Sequence, residues 1–543
     1  MISKLHKYKQ PALLFIVTTI LLFSGLDKIE VNIMEARNFI SAREMVQNDE
    51  YLLTTLNNEP RYQKPPLPTW LTAASGAAFG FDSLFALRLP VVAITFLLVI
   101  VYWQYSKLLE LGSTHSINNA LILITSFYIF FAGRDNQWDM YTHSFMMVSI
   151  FFTSLLLLKD SYQVRNSLLA GLFMGFSILS KGPVSLYALF LPFIISYAIV
   201  YSNLFRRKGV YLLVMLISGL VIGFSWYIYV RVKDPEPFRI IASRETSNWT
   251  SYEIKPFYYY WSFFLQSGLW AIASLISLLY PWLKARVNHL KAYRFAVLWT
   301  LLSLLLLSLI PEKKSRYLVP VLIPLALTTG FYIEYLLYNF NERMGRKEKK
   351  VVYFSFGIFA LIAFAYPFAL FFLLKDNLQE YIWLVIGSSV LIFGCGYLIV
   401  KGLLQKNFWK VFYSMIAVFT IIVISVIPMY KEFVYNPDYA STAKAQGLEK
   451  DLNIKTYTLT SVAPEIVWDF GKAIPIIETN DNLIAVPGES KFGLMVDSKD
   501  SVAIRSYFPD YQIEKVYRIN LHYKNQKKER LIKDYYLLSR ESI

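Results

Sequence analysis

The sequence predicts an all-α polytopic membrane domain followed by a small α/β domain at its C-terminal end. Three observations carry that prediction. Of 543 residues, 55% are hydrophobic and only 17% charged, where soluble domains carry about 25% charged residues. Apolar runs of the roughly 20 residues that cross a bilayer core recur through the first 430 positions. From Tyr430 to Ile543 the chain turns polar.

The first run, 11–25, follows the basic start MISKLHKYKQ with no small-residue cleavage site after it, and reads as a retained helix. Runs at 84–107, 116–133, 141–158, 165–179, 183–203, 209–230, 257–282, 293–310, 316–339, 351–374, 381–401 and 409–429 bring the total to about thirteen spans. The shortest, 165–179, suits a tilted or protein-buried segment. In the tail, ASTAKAQGLEKDL suits a helix, and KTYTLTSV, KAIPIIE, KFGLMVD and YQIEKVYRINLHYK read as strands. The expected division is a membrane domain over 1–430, with surface helices in a long loop at 26–83, and a soluble α/β domain over 431–543.

The formal net charge is +16, which invites a nucleic-acid reading. Its distribution argues against one. The loops FRRKG, KARVNHLKAYR and NERMGRKEKK fall on one side when the spans are counted, the positive-inside pattern of a membrane protein. That places the N-terminus inside, and loop 26–83 and the tail outside, in the inner membrane of a bacterium. The bilayer, not nucleic acid, is the expected partner. Cys395 stands alone, so neither an intrachain disulfide nor a cysteine metal site forms. His6, His115, His143, His289 and His522 are scattered. No cofactor is indicated; a divalent metal is left open, with no ligand set pointing to it.

Charges at the edge of a membrane domain are costly, so each marks a candidate site. On the expected outer side stand Glu35, Arg37, Arg43, Glu44, Lys64, Arg134, Asp135, Asp139, Lys181, Arg244, Glu245, Lys313, Lys314 and Arg316. In NIMEARNFISAREM, Ile33, Ala36, Phe39 and Ile40 fall at helical spacing with Glu35, Asn38 and Arg43 off the stripe. That suits a helix lying on the membrane surface. Lys64 precedes two prolines that hold the backbone extended. Each feature also has a plainer reading: a snorkelling lysine for Lys64, a helix cap for Asp139, and an interhelical turn for Lys181.

Taken in order, these segments resemble the GT-C membrane glycosyltransferases, in the branch of the protein O-mannosyltransferases and the aminoarabinose transferase of lipid A. The resemblance rests on Glu35 with Ala42-Arg43-Glu44, on Gln63-Lys64-Pro65-Pro66-Leu67, on Arg88-Leu89-Pro90 and on Asp139-Met140. It continues through Gly171 to Pro183, Pro256 to Tyr260, and Arg316-Tyr317-Leu318-Val319-Pro320. Met34 stands where the family often has Asp, and Gln63 where it often has Glu.

The resemblance implies transfer of a sugar from a polyprenyl-phosphate-linked donor to a lipid, glycan or protein acceptor, with inversion, in modification of the cell envelope such as that of lipid A. Breaking a sugar–phosphate bond leaves a lipid phosphate anion, which Lys64, Lys181, Arg316 and Arg37 are expected to hold. An attacking hydroxyl loses a proton, so Glu35 is the expected base, with Asp139 in support. Gln63, Arg134, Tyr258, Tyr259 and Tyr317 are expected to line the substrate cavity. The competing class is a lipid or glycan transporter or flippase. Such proteins carry internally repeated halves with broken helices at the midplane, and this sequence has no such symmetry.

Overall fold

The computed structural model describes residues 2–201, 208–341, 344–375, 377–434, 436–477, 479–480, 483–484, 486–524 and 529–540. Of the basic loops, Arg206, Arg207 and Arg343 lie outside the described residues. Helices follow the apolar runs. α1 (Ile2–Phe23) leads into the first long loop, which holds α2 (Ile33–Gln47), a hairpin of β1 (Thr55–Leu56) and β2 (Glu59–Pro60), and α3 (Leu67–Phe79). The hairpin turns on Asn57 and Asn58, both at positive φ, 57° and 62°, as a two-residue type I′ turn requires.

The chain continues through α4 (Leu84–Leu108), α5 (Ser113–Ile124), α6 (Phe127–Ala132), α7 (Trp138–Leu158), α8 (Gln163–Lys181), α9 (Leu191–Val200) and α10 (Gly209–Lys233). A further helix, α11 (Pro235–Ser251), opens on a proline, which its first turn tolerates. The run expected as one span over 257–282 is instead broken. Two 3-10 turns, Phe257–Tyr260 and Phe263–Trp270, precede α12 (Ala271–Ser277) and α13 (Tyr280–Leu283). Gly268 makes the kink at φ +55°, packed so closely on Phe127 that a Cβ would lie 2.2 Å from that ring. α14 (Leu290–Leu309), α15 (Val319–Asn339), α16 (Arg346–Leu374), α17 (Ile382–Leu404), α18 (Phe408–Val426) and α19 (Tyr430–Phe433) complete the helical part.

Among the described residues, eight helices are long and apolar enough to cross a membrane. Their burial sorts them. The apolar window of Ser315–Asn339 is 89% buried and that of α7 78%, against 22% for α10 and 28% for α16 and α17. α7 and α15 are therefore central, and α10, α16 and α17 peripheral. α8 is wedged against α10 through small residues. Gly171 and Gly175 approach the backbone of Gly219, Gly223 packs on Ile178, and a Cβ on Gly171 would sit 2.0 Å from Ser218 Oγ and 2.7 Å from the Met215 carbonyl. This small-xxx-small contact is how membrane helices approach closely.

The tail holds α20 (Ala443–Leu452), β3 (Thr456–Thr458), α21 (Pro464–Asp469), the pair β4 (Thr479–Asn480) and β5 (Leu483–Ile484), β6 (Lys491–Val496), β7 (Gln512–Asn520) and β8 (Ile532–Ser539). The sheet order is β3-β6-β8-β7, with β3 parallel to β6 and the other pairs antiparallel. Among the described residues of KAIPIIE, 472–477, one bridge forms, Ile476 to Thr458, rather than a strand. β8, absent from the sequence reading, lies inside the sheet; its first turn of charges, Lys533 and Asp534, is buried in ion pairs.

α2 departs from the surface helix expected of it. Every residue from Met34 to Met45 except Arg37 is buried. The cause is that the tail packs on its outer side: Phe39 meets Trp468 at 5.1 Å and Ile40 joins the core around Ile466 and Phe470.

Candidate functional site

The site forms where the start of α4, the loop before α7, the end of α8 and the segment before α15 meet α2 and the loop ahead of α3. Its firmest element is an ion pair. Arg88 Nε donates to Glu35 Oε1 at 2.8 Å and its Nη2 to Oε2 at 2.7 Å, with both side chains almost wholly buried. The Asn136 amide also donates to Glu35 Oε1, at 3.0 Å. Asn136, Asn38, Thr72 and Tyr141 extend the network across α2, α3 and α7. Glu35 is thus saturated and locked, which differs from the base expected of it. Arg88, read in the sequence only as part of a helix start, is its partner; a charge inside an apolar run was the available signal.

Asp139 and Lys181 form a second buried ion pair, Lys181 Nζ donating to Asp139 Oδ1. Asp139 is therefore not a helix cap; that position belongs to Gln137. Lys181 Nζ also lies 4.7 Å above the Tyr317 ring, and the charges of Lys64 and Arg316 are both felt at Lys181. Lys64 contacts Glu245 of α11 at 3.4 Å. The expected cations Lys64, Lys181, Arg316 and Arg37 thus share one electrostatic neighbourhood.

Three arginines there lack a carboxylate partner among the described residues. Arg61 stacks on Trp138 at 4.9 Å and donates to the Arg37 carbonyl and Ser41 Oγ. Burial, with Arg37 beside it, pulls its pKa down to about 9. Burial also lowers Arg37; Arg316 and Arg530 add to that effect against Glu465 and Glu245. Arg316 is half-buried, and its Nε has no protein partner. Gln63 Oε1 and Asp139 Oδ2 are likewise buried without a partner. Buried polar atoms are nearly always satisfied: the arginines offer donors to an anion, whereas Gln63 Oε1 and Asp139 Oδ2 are acceptors that call for a hydroxyl or another donor. Arg61 was not picked from the sequence, although its place in RYQKPP put it beside Lys64.

The other expected cavity residues divide. Tyr317 faces the cluster and donates to Glu312 at 3.1 Å. Tyr258 and Tyr259 are exposed, and the buried member of that run is Tyr260, which donates to the Lys314 carbonyl at 3.0 Å. Arg134 is a correction: its guanidinium donates to the carbonyls of Leu21 and Ser24, capping the end of α1. The last carbonyls of α1 have no partner within that helix, and Arg134, brought to them from more than 100 positions along the chain, is spent on the fold.

A family model described as dolichyl-phosphate-mannose-protein mannosyltransferase matches residues 63–228. The undecaprenyl phosphate-alpha-4-amino-4-deoxy-L-arabinose arabinosyl transferase of Photorhabdus laumondii is 24% identical over 339 residues, 58% of this chain and 57% of its own. The enzyme of the same name from Shewanella sediminis is 26% identical over 317 residues, 53% of this chain and 52% of its own. The chain thus spans about half the length of these relatives. ArnT from Cupriavidus metallidurans, solved bound to undecaprenyl phosphate, superposes over 97% of both chains with a TM-score of 0.71 at 17% identity. Its apo state also gives 0.71, over 99% of this chain and 98% of that one. The chain has the GT-C fold and is related to the aminoarabinose transferases. On this frame the Glu35–Arg88 and Asp139–Lys181 pairs are two fixed points of the site.

Proposed function

We propose that this chain is a membrane glycosyltransferase that moves a sugar from a polyprenyl-phosphate carrier to an acceptor, with inversion. The observation that carries the reading is the group Arg37, Arg61 and Arg316, without carboxylate partners among the described residues, beside Lys64 and Lys181. A departing lipid phosphate supplies the missing anion. Donors fixed in advance where charge develops stabilise the transition state. An acceptor oxygen attacks the anomeric carbon as the sugar–phosphate bond breaks, and the bonding pair leaves with the phosphate.

Asp139 takes the role of base, because its Oδ2 is uncommitted while both oxygens of Glu35 are engaged. Lys181 fixes Asp139 through Oδ1 and turns Oδ2 to the task. Glu35 is a positioning residue. The apolar runs support about thirteen crossings, and the basic loops FRRKG, KARVNHLKAYR and NERMGRKEKK support an inner-membrane location with the N-terminus inside and an outer face carrying the site and the 431–543 domain. A flippase reading has no comparable support.

The test uses purified protein in nanodiscs and undecaprenyl phosphate as probe, read by native mass spectrometry. One charge-assisted contact is worth about 1.5–3 kcal/mol, or roughly tenfold to a hundredfold in affinity. Lys64→Ala and Arg316→Ala should each lose that much while their melting temperatures hold. Unchanged binding in both defeats the assignment.

A further inference from the structure

A cavity of about 430 Å³ lies between the tail and the start of α2, within the roughly 300–1,000 Å³ of small-ligand sites. Part of its lining is apolar: Ile33, Val462 and Pro464. Ala463 and Ser461 are small, and the remaining five lining residues are charged, three of them, Asp497, Arg530 and Lys533, in ion pairs. Lys533, 3% exposed, donates to Asp497 Oδ1 at 2.8 Å, and Asp497 Oδ2 accepts from Thr460 at 2.9 Å. Arg530 grips Glu465 through two hydrogen bonds, 2.9 and 2.7 Å. An anion here would meet carboxylates and a cation would meet ammonium and guanidinium groups. A polyhydroxylated ring fits both: its hydroxyls donate to carboxylates and accept from cations, and its C–H face lies on the apolar wall.

The cavity also adjoins the phosphate cluster. Ile33 is one helical turn from Arg37 on α2, and Arg37 feels Glu465 and Arg530 on the tail as well as Arg316 and Glu245. We propose that this cavity binds the saccharide part of the acceptor and so gives the tail its task. The word acceptor rests on the glycosyltransferase reading; the saccharide binding stands by itself.

The test applies labelled full-length protein in nanodiscs to an array of bacterial surface oligosaccharides: lipopolysaccharide core, O-antigen and peptidoglycan fragments. Ser461→Trp, at an exposed lining position, fills the cavity. Lys499→Ala, also exposed, removes a polar contact and serves as a second variant should the first not fold. The native protein should retain at least one glycan. Either variant should weaken that binding by about tenfold, the scale of one charged hydrogen bond, with undecaprenyl phosphate binding unchanged. No glycan retained by the native protein, or wild-type glycan binding by the folded variants, overturns the proposal. Because no turnover is read, failure of the polyprenyl donor to bind shows separately, and counts against the glycosyltransferase reading alone.

Discussion

At the scale of single residues, two carboxylates of similar appearance in the sequence carry different burdens. Removing one partner of a buried ion pair costs about 3–5 kcal/mol, so Glu35→Gln and Arg88→Met should both lower the melting temperature markedly. Asp139 is also half of a buried pair, with Lys181, so Asp139→Asn should lower the melting temperature too; the folded variant should still bind the donor and lose about 10²–10⁴ in turnover on a hydroxyl acceptor. Wild-type stability in Glu35→Gln, together with a turnover loss of that size, would return the base to Glu35. Asp135 makes a third case. Burial and the neighbouring Glu35 carboxylate push its pKa up from 3.8. The native state therefore binds its proton more tightly than the unfolded chain does. Asp135 weighs nothing below 3.8 and costs stability increasingly as pH rises above it. Asp135→Asn should thus gain over wild type more at pH 8 than at pH 5 in thermal melts; a gain that shrinks with pH would contradict this.

At the scale of elements, the close approach of α8 and α10 sets where Lys181 ends. The contact at Gly171 is to the Met215 backbone as well as to Ser218, so Gly171→Ala must move a helix rather than a rotamer. Overpacking of this kind costs about 1–3 kcal/mol. A control is at hand in Gly447 of α20, where a Cβ would meet nothing within 4 Å. There the same change should stabilise by up to about 1 kcal/mol, the helix propensity gain. Equal melting shifts for the two variants would mean that the small-residue contact does not matter.

At the scale of the whole molecule, the tail and the helical domain are joined through α2 and its hairpin. Asn57 Nδ2 donates to the Ile474 carbonyl at 2.9 Å and the Ile474 amide donates to Asn57 Oδ1 at 2.7 Å. Arg43 lies over the Trp468 ring at 5.5 Å and donates to the Val467 carbonyl at 3.3 Å. An aromatic anchor of this type is worth about 2 kcal/mol or more when truncated. Trp468→Ala should therefore speed proteolytic cleavage near residues 434–442 while the helical domain keeps its melting temperature. Unaltered cleavage would show that the hairpin alone holds the tail.

By itself the sequence determined the membrane class, the order of the helices and most of the cluster around Lys64, Asp139, Lys181 and Arg316. Runs of apolar residues have one low-energy answer in a bilayer, a helix with its backbone satisfied internally, and charges left at their ends stand out against that background. What only the tertiary structure decided is which charge meets which. Glu35 and Arg88 are 53 positions apart, and no periodicity relates them. Arg134 and Arg61 differ little in sequence, yet one caps α1 and the other is left without a carboxylate. β8 escaped notice because Lys533 and Asp534 look solvated until their partners are known. α2 looked like a surface helix because its apolar stripe, with Phe39 and Ile40, suits a bilayer surface; what the stripe meets is the tail, from more than 400 positions along the chain. Local spacing encodes the shape of an element, whereas the pairing of buried charges depends on contacts that only the folded chain makes.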